Sequence, residues 1–65
     1  MTADVLIENH GSIAMFTPLS AEAHQWVEDH VQVEPWQRFG PSIACEPRYL
    51  GQLVEGMEEN GLVVQ

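Results

Sequence analysis

Residues 5–16 read VLIENHGSIAMF, two apolar runs separated by the polar stretch Glu8-Asn9-His10-Gly11-Ser12. Short runs of β-branched and bulky residues around a glycine-containing polar segment are the pattern of a β-hairpin, with strands expected over 4–8 and 12–17. Two registers compete. A two-residue turn at His10-Gly11 pairs Ile7 with Ala14 and sets Val5 and Ile7 beside Phe16. A three-residue turn at Asn9-His10-Gly11 pairs Glu8 with Ser12 and Ile7 with Ile13, placing Gly11 at the left-handed position that closes such a loop. The second register gathers Val5, Ile7, Ile13 and Met15 on one face and is preferred for that segregation. Asp4, Leu6, Glu8, Ala14 and Phe16 then form the opposite face. This face is half-apolar and suits a second copy of the chain, with Leu6 and Phe16 as its self-association residues.

Beyond the hairpin, the spacing predicts a helix over 20–31. Ser20 is its N-cap, and Leu19, Ala23, Trp26, Val27 and His30 lie on one stripe. Pro35, Gly40 and Pro41 then interrupt regular structure, so VEPWQRFGPS reads as a connection carrying two aromatic residues. A short strand is expected over 42–45. A second helix runs from Pro47 to about Asn60, with Tyr49, Leu50, Leu53, Val54 and Met57 on its apolar face. Gly51 and Gly56 inside this helix point to close approach by another backbone. Gly61 ends the helix, Leu62 is placed to fold back on Met57, and LVV makes a last strand. The order β-β-α-β-α-β describes a small single α+β domain over 1–65, a mixed sheet carrying two helices on one face. If the third and fourth strands are parallel neighbours, their crossover is right-handed.

Composition narrows the function classes. Ten acidic residues against Arg38 and Arg48 give a formal net charge of −8. Direct nucleic-acid binding requires a cationic surface, and anionic membrane surfaces are disfavoured for the same reason. A basic protein partner fits this charge, whose simplest consequence is solubility. With 65 residues, one cysteine and three scattered histidines, neither an internal disulfide nor a four-ligand zinc site is supplied. Self-association is the remaining aid to a small core. The opening MTADV has no basic start or long apolar run, and no stretch reaches membrane-span length, so a cytoplasmic location is expected.

Few residues invite a chemical reading. Glu8, His10 and Ser12 resemble parts of a catalytic triad, yet a hairpin tip offers exposure without a cleft, and turn chemistry explains them. His24 and Glu28 stand one helical turn apart with no third metal ligand in a defined position. His30 suits a role bonding carbonyls at the helix C-terminus, and Cys45 reads as a buried, inert thiol. Trp36, Arg38 and Phe39 carry the residue types of binding hot spots, although two aromatics there would equally close one end of a small core. Glu55, Glu58 and Glu59 add an acidic helix face to this partner-binding set. No catalytic residue, metal site or cofactor is assigned.

The stretches ENHGSI and ACEPRY followed by LVEGM resemble a family of short proteins of unassigned function found in bacterial, phage and mobile-element genomes. The likeness covers nearly the whole length. It implies a compact stand-alone protein and brings no active-site residues. Together with the charge, it leads to an expected function as a small acidic non-catalytic protein-binding module. Its sharper form is an inhibitor of a basic nucleic-acid-binding protein, as some anti-restriction and anti-CRISPR proteins are. The alternative is a self-assembling, dimeric structural or accessory protein.

Overall fold

The computed structural model describes residues 2–65. Strands β1 (Val5–Asn9) and β2 (Ala14–Pro18) form a hairpin that leads into helix α1 (Ala21–His30). A one-turn 3-10 helix (Pro35–Gln37), strand β3 (Arg38–Phe39), strand β4 (Ser42–Cys45) and helix α2 (Pro47–Glu59) follow. The sheet order is β1-β2-β4-β3, antiparallel throughout. The C-terminal residues extend the sheet beyond β1: Val64 bridges Val5 in parallel, and Gln65 N–H donates to Val5 C=O at 2.9 Å. The class is therefore the expected α+β domain, mixed only along this last edge. The C-terminal segment lies beside β1 rather than beside β4, so the two are not the parallel neighbours considered above.

The hairpin register differs from both expected ones. Ile7 pairs with Phe16 and Asn9 with Ala14, and His10 N–H donates to Ile13 C=O at 2.8 Å, leaving Gly11 and Ser12 as the turn. Gly11 keeps the anticipated left-handed backbone at φ +84°, and its N–H donates to Asn9 Oδ1 at 2.9 Å. Relative to the preferred register, this shift exchanges the two faces of β2. Phe16 is fully buried against the helices, together with Val5 and Ile43, and Ala14 is buried beside it. Phe16 is thus a core residue and not part of an exposed self-association face. Ile13 and Met15 turn to the opposite face instead, which is open around Leu6 but buries Ala44 opposite Met15. The reason is long-range: β4 supplies Ile43 directly opposite Phe16, and the two complete one apolar surface for the helices.

Each helix has one locally encoded terminus. Ser20 Oγ accepts from Ala23 N–H at 3.1 Å at the start of α1. At the end of α2, Gly61 (φ +82°) lets Gly61 N–H donate to Glu58 C=O and Leu62 N–H to Met57 C=O, both at 3.0 Å. This is a Schellman closure, and it returns Leu62 to the core beside Met57. The helices meet where Trp26 lies over Gly56: a Cβ on Gly56 would stand 2.9 Å from the Trp26 ring. The close approach anticipated at the α2 glycines is thus made by a side chain, and only at Gly56, because nothing approaches a Cβ on Gly51. His30 stacks on Trp26, with ring centroids 4.7 Å apart and Nδ1 2.9 Å from Trp26 C=O. Leu19, expected on the buried stripe, is 48% exposed.

Asp4 ties the two ends of the described chain together. Its C=O accepts from Leu19 N–H at 2.7 Å ahead of α1, and its Oδ2 accepts from Val63 N–H at 2.8 Å. The Val63 N–H, then the Ser20 hydroxyl, hold the Asp4 carboxyl below the ordinary aspartate value.

Two outcomes follow from this packing. Gly51→Ala should raise stability by up to about 1 kcal/mol through helix propensity, whereas Gly56→Ala should lower it by about 1–3 kcal/mol through overpacking against Trp26. Urea unfolding reads both, and a stabilising Gly56→Ala would show that the Trp26 contact does not constrain α2. For Asp4, folding lowers the pKa, so its contribution is complete above about pH 4 and is lost as pH falls through the lowered value. Between pH 6 and pH 3 on the urea scale, about a charge-bearing window, the wild type should lose more stability than Asp4→Asn. Equal losses would assign the acid response to other groups.

Candidate functional site

The segment around Trp36 is held from both sides. Pro35 begins the 3-10 turn, and Gln37 N–H donates to Glu34 C=O at 2.9 Å. The Gln37 side chain then bridges two backbones: Oε1 accepts from Glu34 N–H at 2.8 Å, and Nε2 donates to Ala44 C=O at 3.0 Å. These bonds pin the turn to β4, yet the Trp36 side chain between them is 69% exposed. Trp36 therefore does not close the core.

Trp36 forms one wall of an open cleft of about 260 Å³, lined also by Ile13, Gln37, Ala44, Cys45, Glu46 and Tyr49. Besides the 3-10 turn that carries Trp36 and Gln37, three elements build it. The hairpin brings Ile13, the end of β4 brings Ala44 and Cys45, and the first turn of α2 brings Tyr49. Most of the wall is apolar or aromatic, and Glu46 is the one acidic residue among those that line it. Beside the cleft, Arg48 Nε is 2.7 Å from Glu46 Oε2, and the guanidinium carbon lies 5.0 Å from the Tyr49 ring centroid. Burial pushes the Cys45 thiol above its ordinary pKa, so it stays protonated near neutral pH and is a weak nucleophile.

The other expected partner-binding residues do not share this cleft. Side chains alternate along β3, so Arg38 and Phe39 point to opposite faces. Arg38 lines a second cleft of about 160 Å³ with His24, Val27, Glu28, Gly40 and Pro41. Phe39, 54% exposed, pairs with Ser42 on the uncovered sheet face. Glu55, Glu58 and Glu59 are exposed on the later turns of α2. At the hairpin tip, His10 Nε2 and Glu8 Oε2 are 3.0 Å apart and both exposed, and no hydrogen bond joins Ser12 to His10 among the described residues. Among the described residues, no three His, Cys, Asp or Glu side chains stand together as a metal site, and no helix is long and apolar enough to cross a membrane.

Of the residues lining the Trp36 cleft, the expected partner-binding set held only Trp36 and omitted Ile13, Gln37, Ala44, Cys45, Glu46 and Tyr49. Tyr49 carried a local signal, standing beside Arg48 and two residues past the proline that opens α2. Gln37 carried none, because its role depends on the return of β4. Comparison with family models, curated proteins and solved structures finds no match to this chain.

Proposed function

We propose that this chain is a non-catalytic protein-binding module that engages a basic protein. The observation that carries the reading is Trp36, an indole 69% exposed on a turn that two Gln37 hydrogen bonds hold in place. A large aromatic side chain carried on a backbone that is already fixed requires little backbone ordering on contact, which favours it as an interface anchor. The net charge of −8 and the exposed Glu55, Glu58 and Glu59 select a cationic partner and speed its approach. The resemblance to phage and mobile-element proteins sharpens this to an inhibitor seated in a nucleic-acid-binding groove, of the anti-restriction or anti-CRISPR kind. Neither the protonated Cys45 thiol nor the open His10–Glu8 pair supplies an activated nucleophile in an enclosed site.

A second reading, a self-assembling accessory protein, draws on the uncovered sheet face. Leu6 pairs with Thr17, Thr17 Oγ1 lies 2.7 Å from Ser42 Oγ, and Ser42 pairs with Phe39, so one row ends in an exposed apolar residue at each side.

Affinity capture from a bacterial or phage-infected lysate distinguishes the two. The binding module should retain basic proteins at about 50 mM salt and release most of them by about 0.5 M, as screening shortens the Debye length. Trp36→Ala and the triple variant Glu55→Gln, Glu58→Gln, Glu59→Gln should each weaken retention. Capture without basic proteins at low salt would end this reading. Sedimentation of the isolated protein tests the second: a dimer that Leu6→Asp or Phe39→Asp dissociates supports it, and a monomer at every concentration removes it.

A further inference from the structure

Resting on the binding-module reading, we infer that the cleft beside Trp36 receives one lysine or arginine side chain of the basic partner. Its size sets the scale. At about 260 Å³ it exceeds the roughly 150 Å³ that accommodates a benzene-sized guest. It falls short of the roughly 300–1,000 Å³ typical of drug-sized ligand sites. One long side chain fits this volume.

The wall chemistry then chooses among side chains. A long cationic residue needs apolar surface for its methylene stem and a carboxylate or aromatic face for its head. Ile13 and Ala44 supply the first, while Glu46, Trp36 and Tyr49 supply the second. The molecule also contains its own precedent. Arg48 already sits against two of these lining residues, 2.7 Å from Glu46 and 5.0 Å from the Tyr49 ring centroid. With side chains 72% and 59% exposed, the Arg48–Glu46 pair is held weakly and yields readily to a competing cation. Arg48 is therefore the internal competitor of the partner's side chain. The only other fixed side-chain cation, Arg38, lines the separate second cleft, so a charge of −8 stands behind the attraction.

The test uses two capped pentapeptides, Gly-Gly-Lys-Gly-Gly and its norleucine counterpart, titrated to about 10 mM, the range of weak single-side-chain contacts. Binding is followed in amide and indole NMR spectra. The lysine peptide should shift the Trp36 indole and the Cys45 and Tyr49 amides, and the norleucine peptide should not. Trp36→Ala should weaken the lysine peptide about two- to fivefold, the value of an exposed cation–π contact. Arg48→Gln should tighten it more than Arg38→Gln, which makes the same charge change at the other cleft. Equal or tighter norleucine binding, equal effects of the two arginine changes, or no shift at these residues would each overturn the assignment. If lysate capture depends on Trp36 while the lysine peptide leaves the cleft unmoved, the cleft assignment fails and the binding module stands. If no basic protein is captured, the module reading itself fails.

Discussion

The pairing of Ile7 with Phe16 decides on which side of the sheet the other strand residues fall. Because side chains alternate along a strand, this one contact turns Val5, Ala14 and Phe16 inward, and β4 follows by placing Ile43 opposite Phe16. The helices then have a single apolar surface to cover. In a chain this short, little core exists beyond Phe16, Met57, Val5 and their neighbours, so a face exchange would expose most of what holds the domain together. The uncovered face is correspondingly mixed, with Thr17 and Ser42 bonding each other between Leu6 and Phe39.

Trp26 is the second fixed point. Its ring seats on Gly56, stacks against His30 and joins the cluster around Phe16, so one side chain connects both helices to the sheet. This arrangement has a cost: the buried Trp26 Nε1–H finds no acceptor among the described residues. Burying the indole's apolar area offsets the loss of a protein acceptor in a core with so few large residues.

What was legible in the sequence follows the range of the interactions involved. The Ser20 cap and the Gly61–Leu62 closure depend on residues within a turn or so of each other, and α1 begins and α2 ends where those residues stand. The hairpin itself was legible for the same reason, and so was the need for glycine at position 11. Register was not, because apolar residues occur on both parities of 13–16, and only the arrival of Ile43 from far along the chain favours burying Phe16. Strand β3 was hidden by its two-residue length and by Gly40 and Pro41, which make a turn here rather than an end to pairing. The same distinction governs the site. Trp36 announces itself as an aromatic on a proline-bounded segment, but its exposure and the separation of Arg38 from Phe39 both depend on β3 pairing with β4.

Charge and shape divide the work of recognition in the function proposed. A surplus of carboxylates spread over the surface attracts any cationic partner and hardly distinguishes one from another. Discrimination requires a feature with fixed geometry, and fixed geometry is scarce on a domain with so little interior. Gln37 provides it by spending a side-chain amide on two backbone bonds, which fix the backbone that presents the exposed indole. Arg48 works in the opposite direction, holding Glu46 and one face of Tyr49 until a better-placed cation arrives. A partner that only matches the field gains little from the cleft. One that also displaces Arg48 gains the aromatic contacts and the carboxylate together, and selectivity arises from that difference.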